Sequence, residues 1–304
     1  MASSYILLND LRFHYLHWEP EESGRPLLLL HGLASNARIW ELVAPELVAE
    51  GFSPIAPDLR GHGLSDKPFD MYNFETYRKD LLAFVDAFQL QPPILVGHSW
   101  GALLALDYAA RFPFGPRSPA GIVLVDGGLT QLSDLPGASW SSVRKQLAPP
   151  PLGGTPVEDF LAQLGNWTSS WNDSEQVLQI ILANFEIRED ETIWPNLTFE
   201  RHMQILRSIW DFKTYERLAE VRCPVSAVLA VPPERPGHPA GEMDRDFLEI
   251  KRRGVARAQE ILPGLQVHWL NDTVHDIPLH RPEELANLII AFIESINGGS
   301  HAGG

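Results

Sequence analysis

Cysteine is almost missing from this chain of 304 residues. The one present, Cys223, excludes an intrachain disulfide and a zinc site built from several thiolates. Positive charge is also scarce: 24 Lys and Arg stand against 39 Asp and Glu, a formal net charge of −15. So acidic a surface repels phosphate backbones and anionic lipid headgroups, which argues against nucleic acid and membrane partners. No apolar run approaches the roughly 18 residues of a membrane span. The opening decapeptide, Met1 to Asp10, has neither the basic head nor the apolar stretch of a secretion signal, so a cytoplasmic protein is expected. H-E-x-x-H, a P-loop and a G-x-G-x-x-G opening a helix do not occur, so no metal and no organic cofactor is expected. Internal repeats are lacking as well.

What remains is the composition of a folded protein, 44% hydrophobic and 21% charged. Its length is generous for one core and short for two enzymatic domains. Tyr5–Leu8 and Leu11–Trp18, joined at Asn9-Asp10, read as a β-hairpin. The unbroken apolar run from Pro26 to Leu30, ending at His31-Gly32, suits a strand buried on both faces. Further strands are read at 52–57, 94–97, 122–126, 225–231 and 265–270. Helices are read at 39–49 (broken or restarted at Pro45), 74–88, 102–111, 242–261 and 283–295. Strands alternating with helices predict an α/β fold with a mostly parallel central sheet flanked by helices. The alternation stops between Leu129 and about Thr214, a stretch with no clear strand and five tryptophans: Trp140, Trp167, Trp171, Trp194 and Trp210. It reads as a helical insertion, residues 130–214, lying over a core made of 1–129 and 215–297. A Gly- and Ser-rich tail, 298–304, follows.

Gly97-His98-Ser99-Trp100-Gly101 matches G-x-S-x-G, and it falls between a strand and a helix, the context in which that motif presents a nucleophile. The glycines leave room for a sharp turn, and the following helix aims its positive end at a developing oxyanion. The bland alternative is a Gly/Ser turn with no chemistry.

With those residues in view, the chain resembles the α/β-hydrolase superfamily over nearly its whole length. His31-Gly32-Leu33-Ala34 is similar to the family's H-G-x-x turn. Asp58-x-Arg60-Gly61-x-Gly63-x-Ser65 is similar to its next loop, and His275 followed by Pro282-Glu283 to its C-terminal histidine segment. The stretch 130–214 occupies the place of the family's cap. The resemblance implies Ser99 as nucleophile and His275 as general base, a neutral imidazole able to take the serine proton and return it to the leaving group. His31 and His98 are read as braces of their turns. His62, His202, His268 and His280 are read as structural, and Arg60 as a support of its loop.

Most of the family carries its acid after the strand that is here 225–231, where this chain has Ala230-Val-Pro-Pro-Glu234 and no nearby aspartate. Asp126, ending the preceding strand, is the other site the family uses, and it is favoured over Glu234. A carboxylate at either strand end need only reach the distal imidazole nitrogen. For the oxyanion hole the resemblance points to the backbone N–H groups of Leu33 and Trp100. The expected activity is hydrolysis of a carboxylic ester or lactone through an acyl-serine, on a small apolar or aromatic substrate, by a monomer or homodimer. Carbon–carbon or amide hydrolysis with the same triad, or a slow-turnover ligand sensor, are the alternatives.

Overall fold

The structure is a computed structural model that describes residues 1–168, 171, 174–233 and 240–298. Strands β1 (Ala2–Leu8) and β2 (Leu11–His17) pair antiparallel as the expected hairpin, and both turn residues, Asn9 and Asp10, take positive φ. Strand β3 (Arg25–Leu30) leads through a 3-10 turn (Ala37–Trp40) to helix α1 (Ala44–Ala49), which starts afresh with Pro45 in its first turn. Then come β4 (Phe52–Pro57), α2 (Phe74–Ala87), β5 (Ile94–His98), α3 (Trp100–Arg111) and β6 (Gly121–Val125).

Between β6 and the next long strand lie α4 (Trp140–Gln146), β7 (Thr155–Pro156), α5 (Val157–Thr168) and α6 (Ser174–Leu182). β8 (Phe185–Ile187), β9 (Thr192–Pro195), α7 (Phe199–Asp211) and α8 (Thr214–Glu220) complete that stretch. The chain ends with β10 (Val225–Ala230), α9 (Ala240–Ile261), β11 (Gln266–Leu270), α10 (Ile277–His280) and α11 (Pro282–Gly298).

Eight strands form one sheet in the order β1-β2-β4-β3-β5-β6-β10-β11, parallel from β4 onward. The apolar runs read as two-faced strands do serve two cores. Leu28 and Leu30 join Leu95, Ile122, Leu124, Ala227 and Leu229 beneath α2, α3 and α9. Leu27 and Leu29 join Val96, Val123, Val125 and Val228 against α1 and α11. Successive side chains point to opposite faces, so a fully apolar strand fills both sides. Each fully buried Leu contributes about 1.5–3 kcal/mol of apolar transfer.

The reading of 130–214 as wholly helical needs correction. β7, β9 and β8 form a small three-stranded antiparallel sheet there. Its strands have two to four residues, too short to write a period-two signal into the sequence. Residues 299–304 of the expected tail, and Glu234, lie outside the described residues.

Candidate active site

The site sits where the sheet order changes direction. β4 and β5 lie on opposite sides of β3, and the turns that leave β3 and β5 run to opposite faces of the sheet. A crevice therefore opens between those two turns at the carboxyl ends of the strands.

Ser99 stands on that rim with φ 53° and ψ −110°, outside the ordinary regions for a side chain that is not glycine. The surroundings hold it there. Its N–H donates to the Val125 carbonyl at 2.8 Å, and its carbonyl accepts from Ala102 N–H at 3.1 Å. A Cβ on Gly97 would run into the Gly101 carbonyl, and one on Gly101 into the carbonyl of Leu30. Both positions must therefore be glycine for strand, turn and helix to pack this closely.

Gly32, in the turn after β3, lies against the elbow: a Cβ there would stand 3.2 Å from Ser99 Cβ. This places Leu33 and Trp100 side by side in the wall of the crevice. Among the described residues neither amide N–H has an acceptor. The Trp100 ring itself is fully buried, edge-on to Phe74 and Tyr77 at 4.8 and 5.3 Å.

His275 and Asp126 come together across 149 positions of sequence. His275 Nδ1 donates to Asp126 Oδ2 at 2.6 Å. Asp126, like Ser99, has a positive φ (44°), and its side chain is wholly buried. Oδ1 of the same carboxylate accepts from the Ala230 N–H at 3.0 Å, and both oxygens accept from Lys251 Nζ, at 2.7 and 2.9 Å.

Enclosure by protein works against charge on the imidazole. The Asp126 hydrogen bond and negative charge overcome it, so the His275 pKa lies above the ordinary 6.5. Burial works against the carboxylate too, yet the bonds and charges of His275 and Lys251 hold its pKa well below the usual range. Half the imidazole surface stays open (53%), and ring and Ser99 line one cavity. Among the described residues no hydrogen bond joins Ser99 Oγ to the imidazole; such contacts often tighten only once substrate is held.

The remaining histidines divide as their turns require. His31 Nδ1 donates to Gly32 O at 2.8 Å and its Nε2 accepts from the Leu59 N–H at 3.0 Å, locking two loops together. His98 Nε2 donates to the carbonyl of His275 at 2.9 Å, which ties the elbow to the histidine loop. Burial, reinforced by the neighbouring His275, pushes its pKa down to about 4, so His98 is a neutral brace at ordinary pH. Arg60 makes a buried two-pronged pair with Asp80 at 2.6 and 2.9 Å and supports its loop as expected.

The cavity encloses about 630 Å³ and is walled mainly by Leu, Ile, Pro and Ala side chains. Leu132, Leu147, Leu206 and Ile209 come from the stretch 130–214; Pro232, Phe247 and Ile250 come from beyond β10. Trp100 belongs to this wall, whereas none of the described tryptophans of the stretch 130–214 does. Trp140 pairs with Trp210, Trp171 packs on His280, and Trp194 lies under the Arg188 guanidinium at 3.8 Å. The Trp167 side chain lies outside the described residues.

Two polar members of the wall went unread. His202, taken as structural, does line the cavity, with its ring 3.3 Å from the Leu147 carbonyl. Lys251, hidden in a charged helix, touches Asp126. No sequence signal marks a lysine one helix away as a partner of that carboxylate. Among the described residues no cluster of three metal-binding side chains occurs, and no described helix is long and apolar enough to cross a membrane.

A family model described as "alpha/beta hydrolase fold" matches residues 25–166. Among solved structures, E-2-(acetamidomethylene)succinate hydrolase is similar, with a TM-score of 0.75 and 21% identity over 96% of this chain and 99% of that one. The enol-lactonase from Burkholderia xenovorans is similar with a TM-score of 0.67 and 16% identity, over 96% and 100% of the two chains. The chain has the α/β-hydrolase fold. A particular relative by sequence is AB hydrolase superfamily protein YisY of Bacillus subtilis, 41% identical over 88 residues. That match spans 29% of this chain and a third (33%) of the relative.

Proposed function

We propose that the chain is a serine hydrolase acting on a carboxylic ester or lactone, with Ser99, His275 and Asp126 as its triad. The observation that carries this reading is the 2.6 Å bond from His275 Nδ1 to a buried Asp126, made on an imidazole that opens into the same cavity as Ser99. His275 Nε2 takes the proton of Ser99 Oγ as the oxygen attacks the substrate carbonyl. The Leu33 and Trp100 amides, which have no acceptor among the described residues, receive the resulting oxyanion. Collapse of the tetrahedral intermediate breaks the bond to the alkoxide, which leaves with the proton from Nε2. Water, deprotonated by the same nitrogen, then attacks the acyl-serine; the acyl–Oγ bond breaks, Ser99 Oγ takes the proton back from Nε2 and the acid is released. Asp126 keeps the imidazole in the tautomer whose Nε2 is free and stabilises the imidazolium between the two transfers.

The wall chemistry indicates the substrate. Lys251 is the one cation lining the cavity among the described residues, and Asp126 engages it, so a small uncharged apolar acyl group or leaving group fits best. The stretch 130–214 acts as a cap that supplies much of this wall. The protein works in the cytoplasm, as a monomer or homodimer.

A fluorophosphonate probe combined with a panel of p-nitrophenyl esters tests the reading. Labelling at Ser99 with repeated ester turnover is the expected result. Labelling followed by a single slow turnover would indicate a ligand sensor instead. Ester turnover that survives Ser99→Ala would overturn the assignment.

A further inference from the structure

Lys251 is a charged side chain in contact with the proposed triad to which no role has yet been given. We infer that Lys251 is a positioning residue of this site, holding the Asp126 carboxylate against the end of β10 in the orientation that His275 needs. The inference rests on the reading of Asp126 and His275 as acid and base.

The contacts leave the ammonium little choice. Nζ lies 2.7 Å from Asp126 Oδ1, 2.9 Å from Oδ2 and 3.2 Å from the carbonyl of Ala230. Three N–H protons meet three acceptors, so none is left to bind a carboxylate on a substrate. Ala230 N–H, 3.0 Å from Oδ1, completes a clamp in which a strand end that carries no acid of its own grips the acid of its neighbour. Asp126 directly follows β6, Ala230 ends β10 and Lys251 is on α9, so one lysine ties three elements together at the point where the imidazole must be aimed. The lysine side chain is only 20% exposed and the carboxylate not at all, so little water screens the pair.

The clamp also has an electrical consequence. Among the described residues, the groups that act on the His275 ring are Asp126, the adjacent Asp276, His98 from the end of β5, and Lys251 from α9. Both carboxylates favour the imidazolium and His98 is neutral, which leaves Lys251 as the cation opposing it among the described residues. Without Lys251 the imidazole would hold its proton to higher pH, and a base that is already protonated cannot accept one from Ser99. The lysine thus secures the carboxylate while keeping the base free at neutral pH.

The test compares the intact protein with Lys251→Met, Lys251→Gln and Lys251→Arg, using p-nitrophenyl ester turnover across pH and NMR titration of the His275 ring. Loss of the charge is expected to lower kcat about tenfold or more with KM changed less than about twofold. It is also expected to move the acidic limb of kcat/KM to higher pH. Lys251→Arg should restore the limb and most of the rate. Should Lys251→Met fail to fold, Lys251→Gln keeps two N–H donors without the charge and must show the same displaced limb. A folded Met or Gln variant with the wild-type limb and rate overturns the inference. The ring titration needs no turnover, so it tests Lys251 even if Ser99→Ala were to keep the activity and the serine reading fell.

Discussion

Ser99 and Asp126 both sit at strand ends with strained backbones, but they reach their places by opposite routes. The turn around Ser99 is shaped largely from within a pentapeptide: Gly97 and Gly101 make room for each other, and α3 begins one residue on. The setting of Asp126 is assembled from far away, by Ala230, Lys251 and His275 at separations of 104, 125 and 149 residues. One side of the site is a local motif; the other exists only after the sheet has formed. The elbow should therefore fail through backbone packing and the carboxylate side through lost orientation and charge.

The largest expected effect is at the nucleophile. Ser99→Ala should lower kcat by about 10⁴- to 10⁶-fold while circular dichroism and thermal unfolding stay as in the parent protein. On the other side, Asp126→Asn should cost about 10⁴-fold in kcat, since the amide stabilises the wrong imidazole tautomer. Glu234→Gln should leave the rate as it is. The reverse outcome, a silent Asp126→Asn and a crippled Glu234→Gln, would move the acid to the other strand end.

Gly101→Ala forces a methyl against the Leu30 carbonyl and should destabilise the fold by about 1–3 kcal/mol, read as a lower midpoint in urea. If that variant unfolds as the parent does, the elbow is less tightly packed than described. The pH dependence gives a smaller but directional effect. His275 must be neutral to act, and its pKa is raised by Asp126, so kcat/KM should climb with pH through a midpoint above 6.5. A midpoint below 6.5 would mean that the carboxylate does not support the imidazole. The smallest effect is expected at the brace: His98→Ala should lower kcat by about tenfold through a looser His275 loop, with KM little changed.

The strands were legible because parallel strands buried on both faces leave runs such as Leu27 to Leu30 and Ile122 to Val125. The elbow was legible because its steric demands fall on residues two apart in sequence from Ser99. The short strands at 155–156, 185–187 and 192–195 were not, since two to four residues carry no periodicity. The tryptophans of that stretch carried no signal for the cavity. The described ones pack on one another, on His280 and, for Trp194 at the surface, under Arg188, while aliphatic side chains of that stretch line the cavity.

Local sterics are written in adjacent residues, so the sequence alone determined the α/β alternation, the sharp turn at Ser99 and two strand ends able to offer an acid. Sheet order decided the rest. By laying β10 beside β6 it brought the Ala230 amide and Lys251 to the Asp126 carboxylate, and by placing the loop after β11 nearby it brought His275. Hydrogen bonds reach about 3 Å whatever the separation along the chain, so partners more than a hundred residues apart are fixed only by the packed structure.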